Sequence, residues 1–336
     1  MGDNSRRGKC SGPGGPLGGR YYCAVRESIK NAIDSILEKR EDKLGSSEDL
    51  VEKLKDNLRA EVKYWFLSSE SAWRRELSGA LGFADSLLDG VAGGFEDLYG
   101  LVVDLRFRLA EKGLAGSSSG VMAVLLEVGL AFDRLLGLPY YPGSTLKGAV
   151  RDSAESILKP EPVNLLFGEK DGVGALVFSD SYPVGCWKGR CLVVTGDVVT
   201  PHYFVPGRGL VEAEYEAKPT PVFHLAVAPG TVFRVVVGVD LGRLSDEGVN
   251  KIISDARDKG LITANEANQQ DKTGILGLAV ARLIAAAFAG GVAARSGKGY
   301  NILLPVDPGE VERNVIVGFK FRTRGEKGGR GRRRYR

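Results

Sequence analysis

The segment Leu138–Arg151, LPYYPGSTLKGAVR, allows a chain few folds, because it writes a strand end, a turn and a helix start into one short run. Pro139 and Pro142 favour extended backbone in the residues before them. Gly143 frees the turn. Ser144 is a natural N-cap, with Thr145 the next hydroxyl in line. The helix that follows carries Leu146, Ala149, Val150, Ala154, Ile157 and Leu158 on one apolar stripe. Lys147 and Arg151 are four apart and share a face beside that stripe. Backbone N–H groups, two hydroxyls and two cations thus meet at one helix N-terminus, which suits a phosphate. The same residues also describe a plain capped helix with Arg151 paired to Glu155.

A second segment points the same way. Gly290–Tyr300, GGVAARSGKGY, follows an apolar helix and precedes the strand-like run Tyr300–Leu304. Its backbone can approach a polyanion closely at Gly297 and Gly299, beside Arg295, Ser296, Lys298 and Tyr300. It is neither a GxxxxGK[ST] loop nor a GxGxxG fingerprint. The plain alternative is a helix C-cap at Gly290–Gly291 followed by a tight turn at Gly297–Gly299.

Elsewhere the patterns place elements. Residues 1–20 are basic, Gly/Pro-rich and without apolar period, which predicts disorder. Helical periodicity starts with Val25, Ile29, Ile33, Ile36 and Leu37, breaks at Gly45–Ser47 and continues to Leu88. The aromatic cluster Tyr64, Trp65, Phe66 and Trp73 reads as core. Leu101–Leu109 alternates, with Leu105, Phe107 and Leu109 on one face and Arg106 and Arg108 on the other. Gly174–Ser179, Cys191–Val199, Val222–Ala228 and Val232–Val239 read as strands, the last two joined by a hairpin turn at Ala228–Thr231. Leu244–Gln270 reads as a charged helical insertion and Asn314–Arg322 as a last strand. This succession predicts an α+β fold with a ferredoxin-like (RRM-like) core. It divides into residues 1–20, a helical extension over 21–96, a core domain over 97–322, and a basic disordered tail over 323–336 suited to phosphate.

Composition narrows the function. With 43% hydrophobic and 26% charged residues and a net charge of +4, any nucleic-acid surface must be local. The N-terminus lacks the apolar stretch of an export signal, which predicts a cytoplasmic protein. Ile275–Ala294 is long enough to span a membrane, but Arg282 sits near its middle, so it reads as a buried helix. Cys10, Cys23, Cys186 and Cys191 form no zinc pattern and read as thiols, and no metal or cofactor is expected. Asp197, His202 and Tyr203, with His224 further on, hold acid–base groups, yet no paired acidic motif suggests a two-metal nuclease.

PYYPGSTLKGAVR and GVAARSGKGYN resemble the helix-opening motif and the G-rich loop of the RAMP superfamily, the RNA-binding proteins of CRISPR effector complexes. GDVVTPHYF and KPTPVFHLAVAPGTVFRVVV, lying between them, are similar to the sixth-subunit family of type III-B (Cmr) complexes. The resemblance covers roughly residues 98–322 and implies a non-catalytic subunit that holds the 3′ part of the CRISPR RNA guide and caps the backbone filament. The implied partners are guide RNA, target RNA and the other Cmr subunits, backbone and small. RNA would be held by Ser144, Thr145, Lys147, Arg151, Arg295, Ser296, Gly297, Lys298, Gly299 and Tyr300, with Asp197, His202 and Tyr203 touching RNA or a neighbour. Two other classes stay open: a stand-alone RAMP endoribonuclease that processes CRISPR RNA, and an assembly protein without RNA contact.

Overall fold

Apolar residues at every second position from Leu101 to Leu109 build the central strand of the protein. The computed structural model describes residues 70–114, 130–133, 135–169, 172–189, 193–199, 204–205, 209–210, 222–268, 271–293 and 295–306. In chain order, helix α1 spans Glu70–Tyr99 and β1 spans Gly100–Leu109. A short ribbon of β2 (Phe132–Asp133) and β3 (Leu138–Pro139) leads to α2 (Gly143–Ile157) and α3 (Pro160–Phe167). Then come β4 (Leu176–Phe178), β5 (Tyr182–Cys186), β6 (Val194–Val199), the pair β7 (Phe204–Val205) and β8 (Gly209–Leu210), and β9 (Val222–Val227). The chain continues through β10 (Thr231–Asp240), α4 (Asp246–Asp258), α5 (Ala264–Ala267), α6 (Lys272–Gly290) and β11 (Leu303–Pro305).

The main sheet is antiparallel, in the order β11–β1–β10–β4, and β5 also pairs with β10. Helix α2 falls between β1 and β4 in the chain, and α6 between β10 and β11. The protein is therefore a mixed helix and antiparallel-sheet (α+β) fold. One sheet face, with Leu105, Phe107, Phe233 and Val235, packs against Leu146 and Val150 of α2 and Leu276, Ile284 and Phe288 of α6. The rings of Phe107 and Phe288 meet edge-on at 4.8 Å. The other face is covered by α1, whose Leu88 and Ala92 pack on Val102 and Val236. Cover on both faces explains why Thr231–Val239 is buried throughout, apolar except for Thr231 and Arg234.

The face under α1 is held by charge as well. The buried Arg234 guanidinium binds Asp104 at 2.6 and 2.9 Å, Asp85 at 2.7 Å and Asp89 at 2.9 Å. Arg106 reaches the same Asp85 at 2.9 Å. The strand cation that faces outward by alternation is thus neutralised by a helix packed over it.

Three expectations change. The turn at Ala228–Thr231 is present, with the Thr231 hydroxyl donating to the Ala228 carbonyl at 2.7 Å, but it closes no hairpin. β9 pairs with β6, Val194 opposite Val227 through Val199 opposite Val222, while β10 uses one edge for β1 and the other for β4 and β5. Helix α1 runs on to Tyr99, past the expected end at Leu88. Cys186 is disulfide-bonded and not a thiol, because spacing in the chain does not reveal which Cα atoms come within bridging distance. The readings for residues 1–69, for Asn314–Arg322 and for the tail lie outside the described residues.

Helix α6 is long and apolar enough to cross a membrane by length and composition, yet much of it is buried in the core. Its Arg282 makes two hydrogen bonds of 2.9 Å to the Glu266 carboxylate and a third to the Leu261 carbonyl. Those bonds, with help from the Thr263 N–H and hydroxyl, outweigh burial and bring Glu266 from 4.5 down to about 2. The folded value lies below the unfolded one, so the stability it adds is full above about pH 4.5 and is lost as pH falls toward 2. Glu266→Gln should therefore lower stability at pH 7 by about 1–3 kcal/mol. In urea titrations the gap from the parent should close by pH 2.

Candidate nucleic-acid interface

The start of α2 is built by close approach. A Cβ on Gly143 would lie 2.5 Å from the Phe178 carbonyl oxygen, so only glycine lets the helix begin against the end of β4. Pro142, not Ser144, is the N-cap residue, and no side chain of the cap itself bonds the helix. The Gly143 N–H donates instead to the Asp180 carboxylate at 2.8 Å, so the helix N-terminus already holds an anion from β4–β5. Ser144 is exposed and Thr145 half-buried one position further in. Lys147 is half-buried and donates to the Leu176 carbonyl at 2.9 Å. Burial, and then the charge of Arg151, lower its pKa. Arg151 pairs with Glu155 at 2.8 Å. Both cations are thus engaged within the protein.

The glycine loop is different. Helix α6 ends at Gly290, and a backbone bond from the Val292 N–H to the Asn301 carbonyl closes the loop at its base. Arg295 and Asn301 take left-handed backbone, at φ 64° and 60°, and Gly299 lies at φ 87°. Between them Ser296–Lys298 makes one tight 3₁₀ turn. Arg295, Gly297 and Lys298 are exposed at its tip, and Ser296, Gly299 and Tyr300 are half-buried beneath them. Among the described residues, no carboxylate pairs with Arg295 or Lys298. Among the described residues, no atom beyond its chain neighbours lies within 4 Å of where a Gly297 Cβ would stand. The tip is a fixed turn whose two cations have no carboxylate partner among the described residues and whose backbone is exposed at Gly297.

What fixes it is a polar network joining five separate stretches of the chain. The Asp197 carboxylate on β6 accepts from Lys112 Nζ at 2.7 Å and from the Tyr300 hydroxyl. Burial pushes Asp197 up, but Lys112, Tyr300 and the Val198 N–H outweigh it and hold the carboxyl below its ordinary value. His224, buried on β9, places Nε2 3.7 Å from the same carboxylate. Asn301 Oδ1 accepts from the Leu114 N–H at 2.6 Å and from the Tyr141 hydroxyl at 2.9 Å, and its Nδ2 donates to the Leu114 carbonyl at 3.2 Å. Tyr141 precedes the start of α2 by two residues. The motifs singled out along the sequence therefore converge, and they do so through bonds to one another.

Asp197 and Tyr300 face each other rather than standing as separate contacts. His202 and Tyr203 lie outside the described residues. Lys112 and Asp180 lie in no motif, and Asn301 closes GVAARSGKGYN without being among the expected contact residues. The one available signal was asparagine directly after the glycine run, since asparagine is enriched in left-handed backbone.

The RAMP superfamily model matches residues 119–300. A CRISPR system CMR subunit Cmr6 from Saccharolobus solfataricus is 31% identical over 136 residues, which is 40% of this chain and 45% of that protein. The match thus spans less than half of that relative. A cryo-EM structure of the type III-B Cmr-beta complex bound to cognate target RNA contains a chain that superposes with TM-score 0.52 and 20% identity, over 87% of this chain and 95% of that one. A crystal structure of Cmr6 from Pyrococcus furiosus gives TM-score 0.34 and 18% identity over 61% of this chain and 98% of that one. The chain belongs to the RAMP superfamily.

Proposed function

We propose that this RAMP superfamily member is a non-catalytic, RNA-binding subunit of a type III-B CRISPR (Cmr) effector complex. It holds the 3′ part of the guide RNA and caps the backbone filament, in contact with target RNA and the other Cmr subunits. The observation that carries the reading is the glycine loop, a tip with Arg295 and Lys298 unpaired among the described residues and its backbone open at Gly297. Such a tip recognises phosphate and leaves bases free to pair, so sequence information resides in the guide. The order β11–β1–β10–β4, with α2 and α6 as the two connections, supports a ferredoxin-like core within residues 97–322. The partial Cmr6 likeness supports the choice of complex. A non-catalytic role is supported by Asp197, whose carboxylate is taken up by Lys112 and Tyr300, and by the buried His224, whose Nε2 lies 3.7 Å from that carboxylate.

The test is guide RNA retention by an assembled complex carrying Gly297→Val. Among the described residues nothing beyond its chain neighbours lies within 4 Å of the added Cβ, so folding should be unchanged while RNA retention falls several-fold. Labelled RNA incubated with the isolated chain should stay full-length. Unchanged retention in a folded complex would move the chain to the assembly class without RNA contact.

A further inference from the structure

Trp187 follows directly on β5 and opens the 3₁₀ turn Trp187–Gly189. Its ring is half-buried, with the Arg108 guanidinium carbon and the Lys188 ammonium each 4.3 Å from the ring centroid. Arg106 and Arg234 on the same sheet face are neutralised by aspartates of α1 and β1. Arg108 and Lys188 pair with no carboxylate among the described residues, and the indole is their partner instead. Lys188 is exposed and held in left-handed backbone at φ 55° and ψ 26°.

The position of this cluster matters. The Trp187 N–H donates to the Gly230 carbonyl, the Gly230 N–H to the Leu109 carbonyl, and the Ala110 N–H to the Ile302 carbonyl. These bonds run across one rim of the main sheet, from the end of β5 to the start of β11, where the glycine loop ends. The two ends are three strand spacings apart, roughly 14 Å. A few nucleotides of extended single strand cover that span.

We propose that Trp187, Arg108 and Lys188 form a second RNA subsite, on which an unpaired nucleobase stacks while the glycine loop holds the backbone of the same strand. Arg108, the less exposed of the two cations, keeps the ring in place. Lys188 is the one a base displaces, and its ammonium then meets the flanking phosphate. An aromatic face beside cations without carboxylate partners suits any base of a single strand, and a duplex offers no free base face to it. The inference rests on the RNA-binding reading above.

The experiment uses the full chain with Trp65 and Trp73 replaced by phenylalanine, so that Trp187 is its one indole, and a single-stranded oligoadenylate RNA as probe. Binding should quench Trp187 fluorescence. Trp187→Leu should weaken binding roughly ten- to hundredfold, and Trp187→Phe should restore most of it. Lys188→Gly relieves the left-handed backbone, so folding is preserved. It should lower the slope of log affinity against log salt by about 0.7. Absent quenching together with an unchanged slope in Lys188→Gly would overturn the subsite. If Arg295→Ala with Lys298→Ala still weakens binding in that case, the RNA-binding reading survives without it. If neither set of variants alters binding, that reading falls as well.

Discussion

Asn301→Ala should destabilise the protein by about 3–5 kcal/mol, seen as a lower urea midpoint at unchanged slope. The side chain is fully buried and binds the Leu114 N–H, the Leu114 carbonyl and the Tyr141 hydroxyl. Alanine leaves these groups buried without their partner, at about 1–3 kcal/mol each before any water enters. A second effect is conformational. At φ 60° asparagine is tolerated, whereas alanine adds about 1–2 kcal/mol. Asn301→Gly should therefore recover that last part and no more. Equal midpoints for the two variants would show that the backbone conformation contributes nothing. A loss under 1 kcal/mol for alanine would show that water replaces the amide.

The contrast between this network and the motifs explains how much could be read beforehand. The stripe Leu146, Val150 and Ala154 is buried as its period required, and the charged insertion after Leu244 forms α4 and α5. Alternation in β1 gave the correct two faces. Periodicity reports which side of an element is buried, and burial is local enough to be written into neighbours. Partners are not. Nothing around Ser144 says that Asp180 will take the helix start, or around Val222 that β6 rather than β10 will be its neighbour. Arg106 and Arg108 look equivalent on one strand face, yet one meets an aspartate of α1 and the other an indole. The candidate site behaves likewise. Its glycines and cations were visible, while the groups that hold them rigid come from segments far apart in the chain.

That division sets the last expectation. Arg295→Ala with Lys298→Ala should flatten the salt dependence of RNA affinity by about 1.4, which is two single-strand phosphate contacts at about 0.7 each. Affinity at low salt should fall at least tenfold. Tyr300→Phe should act differently, because it removes the bond to Asp197 and leaves both cations in place. The loop must then be ordered on binding, so affinity should drop at every salt concentration with the slope unchanged. Lys147→Ala should change neither slope nor affinity much, since its ammonium already serves the Leu176 carbonyl. Its effect should be a lower melting temperature. Filter binding of single-stranded guide RNA between 50 and 300 mM salt separates the three. A slope change in Lys147→Ala with none in the Arg295/Lys298 pair would place the phosphate contacts at the start of α2 and away from the glycine loop. A slope change in Tyr300→Phe would mean that the phenol itself meets the backbone, and that its bond to Asp197 opens when RNA arrives.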